Sequence, residues 1–126
     1  LDIGANVTGA DYARANILGA TCNGLFHQVF QEIDILACPT MNRPPHPVTP
    51  EALYGPIGDR DPNMGRFTQP FDYSGRPTLS VPCGLNQKDL PLSLQFVGNP
   101  LDEQLLCQVG HAYEKATEWH TLRPDI

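Results

Sequence analysis

Seven of the chain's 13 prolines fall between Pro39 and Pro62, and this crowding limits what the polypeptide can fold into. Proline fixes φ and lacks an N–H, so neither a helix interior nor a central strand accepts it. Regular structure is therefore not expected over 39–65. A loop of that length inside a compact domain is usually functional or mobile. The next segment, "RFTQPFDYSGRPTLSVPCG" from Arg66 to Gly84, holds three more prolines, two glycines and two phenylalanines. Its breakers leave room for short elements between them. Phe67 to Tyr73 fits a short helix with Phe67 and Phe71 at i, i+4. Gly75 can take the left-handed conformation that ends such a helix. Pro77 and Pro82 bracket a strand, Thr78 to Val81.

The flanks read more simply. Thr8 to Ile33 predicts one long helix, with Thr8 and Asp11 as a variant capping box. Leu18, Cys22, Leu25, Phe26, Val29, Phe30 and Ile33 recur at steps of three and four and form one apolar face. Ile35 to Cys38 is a wholly apolar run closed by Pro39, as in a strand buried on both faces. Asn86 to Pro91 is a turn. Leu92 to Val97 alternates Leu92, Leu94 and Phe96 with Ser93 and Gln95, which predicts a strand with one drier face, paired antiparallel with 78–81. A last helix starts at Asn99 or Asp102 and turns Leu105, Leu106, Val109, Ala112, Tyr113 and Ala116 inward, with Trp119 closing it. The order is α-β-loop-short α-β-β-α, an α/β chain.

At 126 residues the chain is one domain or a piece of a larger one. It begins at Leu1 with text typical of mid-protein sequence, which suggests a start inside a longer polypeptide. The net charge of -6 argues against nucleic-acid phosphates and anionic membranes as direct partners. No apolar run reaches the roughly 20 residues that span a bilayer. Cys22, Cys38, Cys83 and Cys107 show no zinc-like spacing and sit among apolar neighbours, as reduced, buried thiols of a cytoplasmic protein would.

Self-contained catalytic constellations fail one by one along the chain. "DRDPNMG" from Asp59 begins like a calcium loop, but Met64 and Pro70 stand where glycine and glutamate are required. His27, His46, His111 and His120 lack metal-binding spacing. No serine lies in a G-x-S-x-G elbow, and Ser80 falls within an expected buried strand. Lys88 and Lys115 have no serine at S-x-x-K spacing. What the residues do supply is a long loop beside a Phe-rich turn fixed by glycine and proline, which suits the wall of a pocket. Arg43, Arg60 and Arg66 could meet a carboxylate there, although solvated loop arginines are commoner.

These residues resemble the amidase signature family. "FTQPFDYSGRPTLSVPCG" is similar to that family's FT-x-P-F-N-x-x-G-x-P-x-x-S-V-P-x-G. "DILACPT" (34–40), "DLPLSLQFVGNPLDEQLL" (89–106) and "AYEKATEWHTLRP" (112–124) match further segments in order. The resemblance implies the C-terminal part of a large mixed β-sheet covered by helices, so that 1–126 is a segment of an amidase-signature domain. It implies hydrolysis of carboxamides to acid plus ammonia or amine by a serine, a cis-configured serine and a lysine, with no cofactor and no metal. Nothing here matches the stretch that carries those three, so no catalytic residue is expected in this segment. Its expected role is scaffold and pocket wall, through Phe67, Thr68, Phe71 and Asp72, with Met41 to Met64 setting substrate choice. The implied partners are a small-molecule amide and the N-terminal part of the same fold. A homodimer is also expected if the open sheet edge and apolar helix face stay uncovered. The other readings are an amidotransferase A-type subunit for misacylated transfer RNA and a non-catalytic binding module keeping this half-fold. The sequence departs from the family pattern at Asp72 (usually asparagine), Arg76 (commonly leucine), and Asp89 and Ser93 (both glycine). Asp89 bears most on turn geometry.

Overall fold

The computed structural model describes residues 2–44, 48–54 and 63–123. His46 and the acidic turn at 59–62, including Arg60, lie outside the described residues. The chain separates into two units, Leu1–Asp34 and Ile35–Ile126.

The first unit holds α1 (Asp2–Ala5) and α2 (Gly9–Val29). Thr8 is the N-cap of α2. Its hydroxyl accepts from the Asp11 backbone N–H, while the Asp11 carboxylate accepts from the Thr8 N–H, so the capping box forms as its spacing predicts. The helix ends earlier than Ile33. Phe30 N–H still bonds to Phe26 O at 2.9 Å, but Gln31 and Glu32 bond back only three residues, to Gln28 O and Val29 O. The apolar stripe is unevenly buried. Phe30 is buried and Cys22, Phe26 and Ile33 half-buried, whereas Leu18, Leu25 and Val29 are exposed.

The second unit is built on a three-stranded antiparallel sheet, order β1-β3-β2, from β1 (Leu36–Pro39), β2 (Thr78–Leu85) and β3 (Pro91–Val97). β2 and β3 form the expected hairpin, and β1 pairs on the other side of β3. β1 begins one residue later than expected and alternates half-buried with exposed positions, with β3 as its only strand neighbour among the described residues. β2 runs through Pro82 to Leu85, longer than the expected 78–81. An edge strand tolerates proline, and the ladder is irregular between Pro82 and Gly84, where Gly84 takes φ +133°. In the hairpin turn the Asn86 side-chain oxygen accepts from Lys88 N–H (2.8 Å) and Leu90 N–H (3.0 Å). Asp89 adopts φ +56°, so an aspartate occupies the left-handed position for which glycine is favoured. The wet-and-dry alternation expected along β3 fails at Gln95, which is buried together with Phe96 and Val97. That face of the sheet is covered by the turn that contains Phe67, whose carbonyl accepts from Gln95.

α5 (Glu103–Ala116) covers one face of the sheet. Leu106 joins Val81 and Phe96 in a buried cluster, with Ile35, Leu79, Leu94, Val109 and Tyr113 packed against it. The Phe96 and Tyr113 rings meet edge to face at 5.8 Å. Leu105 is half-buried, but Ala112 and Ala116, expected to turn inward, are exposed. A 3₁₀ turn, Trp119–Thr121, follows and sets the Trp119 ring over Gly84. Two short helices, α3 (Pro50–Tyr54) and α4 (Gln69–Ser74), complete the unit. α3 lies where no regular structure was expected. It starts at a proline, and that position costs nothing because the first helical N–H has no intrahelical partner anyway.

The α5–sheet contact is close at Gly110, where an added Cβ would overlap Leu79 Cδ2. Gly110→Val should therefore destabilise the unit by about 1–3 kcal/mol through overpacking. A urea titration that gives a lower midpoint at unchanged slope would bear this out.

Candidate substrate-pocket wall

The residues read from sequence as a pocket wall occupy the turn at 63–68 and α4. Pro70 stands in the first turn of α4, and Thr68 precedes the helix. Gly65 O accepts from both Thr68 N–H (3.1 Å) and Gln69 N–H (2.8 Å), and Thr68 O accepts from Phe71 N–H (3.0 Å) and Asp72 N–H (3.1 Å). Gly75 closes the helix at φ +66°, and Arg76 N–H reaches back to Phe71 O. The helix thus starts two residues beyond Phe67, which stays in the preceding turn. Phe71 is buried, Phe67 and Thr68 are half-buried, and Asp72 is exposed.

Arg76 is buried although it carries a charge. Its Nη1 donates to Asn99 Oδ1 (3.1 Å) and toward Gly98 O (3.5 Å), and burial lowers its pKa from the usual guanidinium value. Gly98 N–H also bonds to Pro77 O at 3.1 Å, so the turn after α4 is tied to the turn after β3. Arginine in place of the family's leucine has a structural reason here.

Gln95 gathers the polar contacts on the other side of β3. In register it lies between Cys38 of β1 and Ser80 of β2. Its Nε2 donates to Phe67 O and stands 3.4 Å from both Pro39 O and Cys38 Sγ. Asn42 Nδ2 donates to Asn63 O at 2.9 Å. Next to these contacts a cleft of about 700 Å³ opens, lined by Met41, Val48 and Met64 and by Cys83, Leu92 and Leu94. Asn42, Arg43 and Ser93 supply polar groups to the lining. Phe67, Thr68, Phe71 and Asp72 are not among the lining residues of this cleft. They form the adjoining turn and helix.

Ser80, expected to be buried, is exposed, and its hydroxyl lies 3.0 Å from Thr40 Oγ1. Lys88 and Lys115 are exposed. Cys107 is likewise exposed rather than buried, while Cys22, Cys38 and Cys83 are half-buried, and all four are free thiols. Among the described residues no group of three or more His, Cys, Asp or Glu could hold a metal ion, and no helix is long and apolar enough to cross a membrane. Sequence reasoning missed Gln95 and Asn42. A lone glutamine in an apolar strand was the available signal for the first, whereas Asn42 had none.

Residues 8–107 match the family model described as Amidase. The chain belongs to the amidase family, that of the amidase signature enzymes. It is 40% identical over 123 residues to the A-type subunit of the glutamyl-tRNA(Gln) amidotransferase from Chloroflexus aggregans, covering 93% of this chain and 23% of that protein. Among solved structures, a bacterial aryl acylamidase of the amidase signature family superposes with a TM-score of 0.77 at 25% identity, over 98% of this chain and 28% of that one. 6-Aminohexanoate cyclic dimer hydrolase superposes with a TM-score of 0.76 at 28% identity, over 96% and 27%. The chain spans about a quarter of the length of the relatives it matches.

Truncation of Arg76 should leave the Gly98 and Asn99 acceptors without their cationic donor. Arg76→Ala is expected to lower stability by about 1–3 kcal/mol, read as a reduced melting temperature.

Proposed function

We propose that these residues are the C-terminal part of a cytoplasmic amidase that hydrolyses carboxamides to acid plus ammonia or amine. The observation that carries this reading is the family match over residues 8–107, supported by superposition on two amide-cleaving enzymes. In this reading a serine alkoxide attacks the carbonyl, an acyl-enzyme forms, and water releases the acid. The backbone N–H groups that stabilise the oxyanion, like the serine, cis-serine and lysine, belong to the other part of the fold.

The roles left to this segment are scaffold and pocket wall. Phe71, on the buried side of α4, holds the wall from behind. Phe67 and Thr68 form its turn, and the exposed Asp72 offers a carboxylate where the family pattern has an amide, an acceptor in place of a donor. The loop between Met41 and Met64 contributes Met41, Asn42, Arg43, Val48 and Met64 to the cleft and is assigned substrate choice. Its lining favours a small-molecule amide with a substantial apolar part. The exposed side of the α2 stripe and the sheet edges are assigned to the rest of the same fold. A second reading, an amidotransferase of the transfer-RNA type, is favoured by the 40% identity to one of its subunits.

Purified residues 1–126 should release no ammonia or amine from any amide and should self-associate at high concentration. The complete polypeptide should turn over, with Asp72→Asn changing KM. Amide hydrolysis by the segment alone would refute the division of roles. Ammonia transfer to a misacylated transfer RNA in the presence of a partner protein would select the second reading.

A further inference from the structure

We propose that Gln95 and Asn42 are positioning residues that close the neck of the loop between Thr40 and Arg66 and thereby set the width of the cleft. This rests on the pocket-wall reading above. The chain leaves the sheet at Pro39 and returns through Phe67. The carbonyls of these two residues, on opposite sides of the neck, both lie within reach of one side-chain amide, Gln95 Nε2. That nitrogen carries two N–H groups, so one glutamine can hold both sides together. Further out along the loop, the neck is fastened again by Asn42 Nδ2 donating to Asn63 O at 2.9 Å.

The two clasps bear directly on the cleft. Met41 and Met64 line it from the two sides of the neck, and the opposite wall comes from Leu92, Ser93 and Leu94 of β3. β3 is held by strands on both sides and does not adjust easily. Gln95 sits on β3 itself and is only 2% exposed, so its side chain is anchored to that fixed wall. It therefore couples the position of the loop wall to that of the sheet wall. Thr40 N–H already ties the outgoing side to Ser93 O at 3.1 Å, so the clasps act chiefly on the returning side, and a loop whose two sides separate cannot present a fixed pocket to a substrate.

The test uses the complete polypeptide carrying these residues and compares wild type with Gln95→Met, which keeps length but removes both donors, and with Asn42→Ala. Hydrogen–deuterium exchange is read over 63–75 and over 103–116. With Gln95→Met, exchange over 63–75 should rise about tenfold, the size expected for losing one or two net hydrogen bonds. The 103–116 helix should keep its wild-type protection. Asn42→Ala should show the same pattern to a smaller degree. Both variants should raise KM for amides more than they lower kcat, because the clasps shape binding rather than chemistry. Unchanged exchange over 63–75, or an equal rise over 103–116, would overturn the proposal. If Gln95→Met does not accumulate as folded protein, Asn42→Ala decides alone, since Asn42 is exposed and its loss disturbs no core. A wild-type polypeptide without amide turnover would defeat the hydrolase reading, while the exchange data would still judge the neck.

Discussion

The pairing of β3 with a strand on each side is the constraint on which residues 35–126 depend. Alternation sends neighbouring side chains of β3 to opposite faces of the sheet, and each face is covered by a different element. Phe96 faces α5 and joins Val81 and Leu106 in the core. Gln95, one residue earlier, points the other way and meets the Phe67 turn. The apolar contact holds the helix and the polar contact holds the loop, so one strand organises both layers. Burying an amide costs free energy unless its hydrogen bonds are made, and Gln95 makes them with Phe67 O in the returning turn and Pro39 O at the end of β1.

The site follows from this arrangement. Proline-rich sequence cannot pair with a sheet, so the stretch after β1 has to leave it and come back. Where it comes back, Pro70 in the first turn and the left-handed Gly75 at the end bound a short helix that keeps Phe71 inside and Asp72 outside. Arg76 then ties the end of that helix to the turn beyond β3 through Gly98 and Asn99. On the proposed reading, the wall of an amide pocket is made of parts with no chemistry of their own. Their contribution is to be held still while groups elsewhere in the fold react.

Much of the architecture was legible because it depends on local rules. The capping box at Thr8 and Asp11, the left-handed Gly75, the 86–91 turn and the β2–β3 hairpin each rest on residues close in sequence. The misreadings share a different origin. β1 reads as a strand buried on both faces because it is apolar, yet among the described residues it pairs only with β3 and alternates half-buried with exposed positions. β2 reads as ending at Pro82 because proline is excluded from central strands, yet among the described residues β2 pairs on one side only, and its ladder is irregular between Pro82 and Gly84. Gln95 reads as solvent-facing because it is polar and alternates with leucine, yet a distant turn covers it. Each error concerns which strand neighbours which, a property no single segment carries.

The sequence by itself determined the main helices and strands, their order and the family, although not the short helices α1 and α3. Backbone propensities, capping groups and prolines act within a few residues of one another, and four matching segments in register are specific. Tertiary structure alone decided that Gln95 and Asn42 close the loop's neck and that Arg76 spans two turns. These contacts join residues 21 to 57 positions apart. They exist only after β3 has taken its place between two partners, because only then do the donors and carbonyls come within hydrogen-bonding distance.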